Sequence, residues 1–196
     1  MKIPYQPTPA RCHQSGTAVI EFALISIFFF TLLFGIIELG RLMYVWNTVQ
    51  EVTRRAAREA VVRNFVTDTD AVLREAIFRS GSSGTVYLPA SSEITNAEVR
   101  ITYLYAVPGA TNPNPVVSPA PTDPDDNLSA CADAGRSNSC IRYVRAEVCN
   151  SGNCTGVLYQ PLIGFLLAVG GIDFRVQIPV SPVVMPAESL GFVPAS

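Results

Sequence analysis

Residues 17–37, "TAVIEFALISIFFFTLLFGII", form 21 consecutive positions at which Glu21 is the only charge. About 20 apolar residues cross a bilayer as a helix, each adding about 1.5 Å. A single transmembrane helix over residues 17–38 is therefore the first expectation. A cleaved secretory signal has a shorter apolar core and a small-residue site after it; neither follows Ile37, so the helix should persist in the mature chain. With 196 residues in all, one anchor and one modest domain are accommodated and a large multi-domain enzyme is not. The net charge is -2 and the arginines are scattered around a single lysine, Lys2, so no basic stripe exists to neutralise phosphates. Nucleic acid is excluded as a partner on that ground.

Cys12 precedes the apolar run, whereas Cys131, Cys140, Cys149 and Cys154 cluster far beyond it. An even set of thiols after an export-like segment reads as two disulfides in an oxidising compartment, with Cys12 on the reducing side. Three connectivities are open; short separations favour Cys131 with Cys140 and Cys149 with Cys154. A four-thiolate zinc site is the rival, but its usual two-residue spacings are missing. Lys2 and Arg11 lie before the span and Arg41, Arg54, Arg55 and Arg58 after it, which simple charge counting reads as an outside N-terminus. The cysteines oppose that. Long domains translocate despite their charge, so the expected orientation is a cytoplasmic N-terminus and an exported C-terminal domain.

Glu21 stands five residues after Gly16, behind a short polar leader, and this arrangement resembles a type IV prepilin. The resemblance implies that a membrane-embedded prepilin peptidase cuts between Gly16 and Thr17, and that Glu21 is the hallmark acid of the mature helix. A carboxylate in hydrocarbon costs about 2.5–3.5 kcal/mol on insertion scales and needs a partner or a function. The new Thr17 ammonium of one subunit can be that partner for Glu21 of another, fixing the axial register. A glutamate snorkelling to the interface is the plainer reading.

Further on, Val19 and Glu21–Ala23, then "GIIELGR" over Gly35–Arg41 and "EVTRRAAREAVVR" over Glu51–Arg63, resemble the TadE-like pseudopilins of tight-adherence (type IVc, Flp-type) pili. Ile20, intervening between Val19 and Glu21, departs from the family's V-E-F-A start but preserves the Gly16-to-Glu21 spacing. The resemblance implies a minor pseudopilin of the inner membrane with a periplasmic domain, required to assemble or prime the pilus and able to enter the extracellular filament. Its partners would be the peptidase, other pilin subunits and the assembly platform. Glu21 and Phe22 would act in assembly, as would Glu38 and Arg41 where the helix leaves the membrane. Glu38 and Arg41 are also spaced for a local ion pair.

The helical pattern continues to about Asn64. Leu42, Val45 or Trp46, Val49, Val52, Ala56 and Ala60 recur at three- and four-residue steps, and Glu51–Arg55 and Glu59–Arg63 are spaced as acid-first pairs. Such a stripe packs on its own domain more often than on another helix. A short helix is expected over about Asp68–Arg79, capped from the Thr67–Asp70 run. "TVYLP", "AEVRITYLYAV", "IRYVRAEVC" and "FRVQIPV" then read as strands, giving an α+β fold: a long transmembrane and stalk helix followed by a small, mostly antiparallel, pilin-like sheet. The expected divisions are a leader over 1–16, the span over 17–38, stalk and short helix over 39–79, a disulfide-bearing domain over 80–185 and a flexible tail over 186–196.

The Pro-, Asp- and Ser-rich stretch between the second and third strands reads as a long loop. Its "TDPDDN" could offer Asp123, Asp125 and Asp126 to calcium, though it lacks the full loop pattern. Leu162–Val169 is too short to span a bilayer and reads as core. The sole histidine, His13, lies in the leader, which leaves no mature Ser-His or Cys-His pair, and no P-loop, G-x-S-x-G or H-E-x-x-H pattern occurs. No enzyme activity, cofactor or metal is expected. The competing readings are a permanently anchored envelope protein that scaffolds a secretion complex or binds a ligand, and an anchored metal-dependent enzyme.

Overall fold

The computed structural model describes residues 15–81, 83–107, 109, 115–162 and 175–193. Most of the leader, most of the second apolar stretch and the last three residues lie outside that set. The chain is α+β and divides into two units, residues 1–39 and 40–196.

Helix α1 (Ser15–Val62) carries the apolar run and the stalk in one uninterrupted element of 48 residues. Over residues 16–40 its side chains are almost all exposed, Phe22 and Phe28 each by 72%. This part is long and apolar enough to cross a membrane, and it fits a single-pass protein.

In the second unit the stalk stripe packs on its own domain. Val45, Val49, Val52, Ala56 and Ala57 join Ile77, Leu88, Ile94, Val99, Ala146, Val148 and Tyr159 in one buried cluster. Ala60 and Val61 join Val72, Ile141, Val144 and Leu190 in another. Helix α2 (Thr69–Ala76) follows, shorter than the sequence pattern implied. Its expected side-chain cap is not formed by Asp68. Asn64 organises the approach instead, its Oδ1 accepting from the backbone N–H groups of Val66 (2.8 Å) and Thr67 (3.3 Å).

Strands β1 (Tyr87–Leu88) and β2 (Ser91–Thr95) form a tight antiparallel hairpin. Ala90 turns it in the left-handed region at φ 63°. A single 3₁₀ turn over Asn96–Glu98 leads on, closed by a capping box between Thr95 and Glu98. Strand β3 (Val99–Leu104) pairs with β4 (Tyr143–Val148), from Val99 opposite Val148 to Leu104 opposite Tyr143. Strand β7 (Val183–Pro186) lies on the other side of β4, giving the order β3-β4-β7, all antiparallel. On β4, alternation turns Val144, Ala146 and Val148 into the core. Strands β5 (Leu158–Tyr159) and β6 (Val176–Gln177) pair separately.

Two expectations need correction. The segment between β3 and β4 is not simply a loop: it contains α3 (Pro124–Ala132) and a 3₁₀ segment over Ala134–Ser139. Asp123 caps α3 by accepting from the Asp126 N–H, and Pro124 occupies the first turn, where its missing N–H costs nothing. The sequence from Pro186 is also not all weakly structured. Leu190 is buried, and the N–H groups of Glu188 and Leu190 reach the Val61 carbonyl while that of Gly191 reaches Val62 at 2.9 Å. Carbonyls that a helix end leaves without partners are thereby satisfied.

Candidate assembly helix and the Arg41 anchor

Gly16, Thr17, Glu21 and Phe22 all lie in the first two turns of α1, and Glu21 and Phe22 are exposed. The span beyond them carries local side-chain contacts. Thr31 donates its hydroxyl to the Ile27 carbonyl at 2.7 Å, and Phe30 stacks on Phe34 with ring centroids 6.1 Å apart.

Arg41 ties the stalk to the rest of the second unit. Its Nε donates to the Ala90 carbonyl (3.0 Å), and its Nη1 donates to the Tyr159 hydroxyl (2.9 Å) and the Gln160 carbonyl (3.1 Å). Its Nη2 lies 3.6 Å from Glu93, and the guanidinium carbon sits 4.7 Å from the centroid of the Tyr159 ring. Glu93 also accepts from the Ser91 hydroxyl and the Gln160 N–H. Both charged side chains are largely buried, 13% and 14% exposed, so hydrogen bonds and charge offset each other's desolvation. The β1–β2 turn and the strand β5 segment are thus gathered on the first helical turn after the apolar span. Sequence reasoning missed Glu93 and Tyr159, since no local pattern links Arg41 to a residue 118 positions away.

A second polar group joins α1 to α2. Arg63 bonds Glu59 at 2.8 Å and Glu75 at 2.6 Å, while Arg55 approaches Glu75 at 3.6 Å. The Glu59 hydrogen bond foremost raises the Arg63 pKa further above its ordinary value. The predicted Glu59–Arg63 pair is therefore present. Glu51 instead lies against Arg54 at 4.0 Å, while Arg55 turns to Glu75 and to the Phe78 ring.

The four downstream cysteines pair sequentially, Cys131 with Cys140 and Cys149 with Cys154, each with Cα atoms 4.7 Å apart. The zinc alternative is overturned, because sulfurs bonded to each other are not thiolate ligands. Glu147 lies beside the second disulfide, but a single carboxylate there makes no metal centre. In the acidic stretch Asp123 and Asp126 already have partners. Asp126 accepts from the Thr122 N–H (3.0 Å) and from Arg136 (2.8 Å), which hold its carboxyl below the usual carboxylate range. Asp123 is the α3 cap. Asp123 and Asp126 thereby serve the fold locally.

Residues 16–58 match the model of the family described as TadE-like protein. No curated protein and no solved structure matches the chain. The matched region opens at Gly16, takes in the apolar span and Arg41, and ends in the buried stripe of the stalk, so the similarity to the TadE-like family lies within α1 and does not reach the disulfide-bearing β-sheet domain.

Proposed function

We propose that the protein is a minor pseudopilin of a tight-adherence pilus, processed between Gly16 and Thr17 and needed to assemble or prime the filament. The observation that carries this reading is the TadE-like match itself, whose first residue is Gly16 and whose course includes Glu21 and the exposed apolar half of α1. In this reading Thr17 becomes the N-terminus. Its ammonium pairs with Glu21 of a neighbouring subunit, Phe22 contributes apolar contact beside that pair, and Glu38 helps set the helix exit. The N-terminus stays on the cytoplasmic side of the inner membrane until cleavage, and the domain from about Gly40 faces the periplasm. The chain is the peptidase's substrate, and we assign it no catalytic role.

The decisive measurement is the N-terminal residue of the protein recovered from cells with and without the prepilin peptidase. Thr17 should be found only with the peptidase; an intact leader in peptidase-competent cells overturns the reading in favour of a permanently anchored scaffold. Glu21→Ala should insert normally and abolish piliation, whereas unchanged piliation would assign Glu21 to snorkelling.

A further inference from the structure

Between α3 and the segment that follows β7, the second unit has a hollow of about 260 Å³. Helix α3 turns one face to it, since Pro124, Asn127, Leu128 and Cys131 recur at three- and four-residue steps. Ile141, Ala187 and Phe192 complete its apolar wall. Leu128 is 57% exposed there, and Val193, the residue after Phe192, is 81% exposed.

Part of the polar lining is spent within the fold. Asn127 Oδ1 accepts from the Ile141 N–H at 2.8 Å, and the Ser189 hydroxyl donates to the Val62 carbonyl at 3.0 Å. The remainder is unused. Asn127 is buried, yet its amide N–H groups have no acceptor among the described residues, an arrangement that calls for an explanation. Exposed Arg142 donates only to the Cys131 carbonyl, at 3.4 Å, and neither it nor exposed Glu188 has an ion-pair partner among the described residues. Asp125 flanks the same face of α3 and is also exposed.

We propose that this patch joins two copies of the chain about a two-fold axis. Charge complementarity selects that occupant. In a two-fold contact each residue and its mate meet twice, once in each direction, so one cation and one anion on a single patch make two ion pairs. Arg142 of each copy faces the partner's Glu188. Each copy also supplies both a projection and a recess. Exposed Val193 enters the partner's hollow beside Leu128 and Phe192, and the Asn127 amide donates to a backbone carbonyl of the entering segment. Apolar burial gives the affinity, and the reciprocal charges fix the register. All of these residues belong to the second unit, and the contact does not depend on leader cleavage or on pilus assembly.

The test counts copies of the full chain by native mass spectrometry after release from detergent micelles. The unaltered chain should be dimeric. Arg142→Glu and Glu188→Arg each set like charges against one another, and each should weaken association at least about tenfold and leave monomer. Mixed in equal amounts, the two variants should form a heterodimer, because every glutamate then faces an arginine. Asp125→Asn should leave the dimer intact; loss of the dimer there would overturn the assigned pairing. A monomeric unaltered chain, single variants that remain dimeric, or a mixture that stays monomeric would each overturn the proposal. Val193→Asp covers the case in which a charge reversal disturbs the fold: with the unfolding midpoint of the second unit unchanged, it too should give monomer. A dimer that survives Val193→Asp and both charge reversals refutes this patch and assigns self-association to another part of the chain.

Discussion

The two halves of α1 share one backbone and opposite relations to their surroundings. From Val19 to Leu39 large apolar side chains point outward around the helix; from Val45 to Val61 a narrow stripe of valines and alanines is buried against the sheet. A helix apolar all round needs an apolar solvent, while one with a stripe needs only a partner surface. Side-chain size follows the same division. Phenylalanine, leucine and isoleucine fill the first half, and Ala56, Ala57 and Ala60 in the second let other elements approach the backbone closely. The domain is built onto the stalk, which serves as the centre of its core.

The comparison can be broken most severely by placing one charge in each half. Val49→Asp buries an unpaired carboxylate in the core and should cost about 4 kcal/mol or more, unfolding the second unit in chemical denaturation. Ile25→Asp, on the exposed half, should leave that unit's unfolding midpoint unchanged and instead hinder insertion by about 3 kcal/mol, read as a reduced membrane fraction. Equal loss of domain stability from both would remove the distinction between the halves.

Next in size is the Cys149–Cys154 staple, which closes a loop on the buried end of β4. Replacing both cysteines with alanine should destabilise the domain by about 2 kcal/mol on chain-entropy grounds, without altering membrane association. Arg41→Gln strips the charge opposite largely buried Glu93 and should cost about 1–2 kcal/mol. Arg54→Gln, whose partner Glu51 is 4.0 Å away in solvent, should change stability hardly at all, and thermal melts of the two variants check both expectations.

A further effect is visible only in alkali. Tyr103 packs on Phe65 with ring centroids 5.7 Å apart, and burial pushes its phenol up to about 12. The neutral form is favoured in the fold, so its contribution is intact below pH 10, the ordinary phenol value, and is lost as pH rises towards 12. Tyr103→Phe should flatten the fall in stability across that window, measured by denaturant titration at stepped pH. An unchanged slope would reassign the fall to other groups.

What could be read in the sequence was whatever repeats locally. The apolar run, the stalk stripe and the Glu59–Arg63 pair are periodic features, and the family resemblance rested on adjacent residues. The α3 helix was legible too, since Thr122-Asp123-Pro124 is an N-cap followed by a first-turn proline, but the surrounding prolines and aspartates read as loop. The Arg41 group was not legible, because its acceptors come from the β1–β2 turn, β2 and the β5 segment, which only tertiary folding brings together. Nor was the packing of Leu190, a residue in a Pro-rich stretch without periodicity. Gly191 sits at φ 83°, and a Cβ there would come within 2.5 Å of the Asn64 backbone, so the close approach depends on glycine.

That closing contact sets an order of events during synthesis. The carbonyls of Val61 and Val62 emerge early, yet their partners in Glu188–Gly191 are made well over a hundred residues later, the Ser189 hydroxyl joining Val62 across 127 positions. Until then the Val61 and Val62 carbonyls lack these partners and Leu190 is missing from the cluster that buries Val61. A ribosome stalled before residue 190 therefore holds a chain whose stalk helix is complete while the contacts that close its far end are still missing.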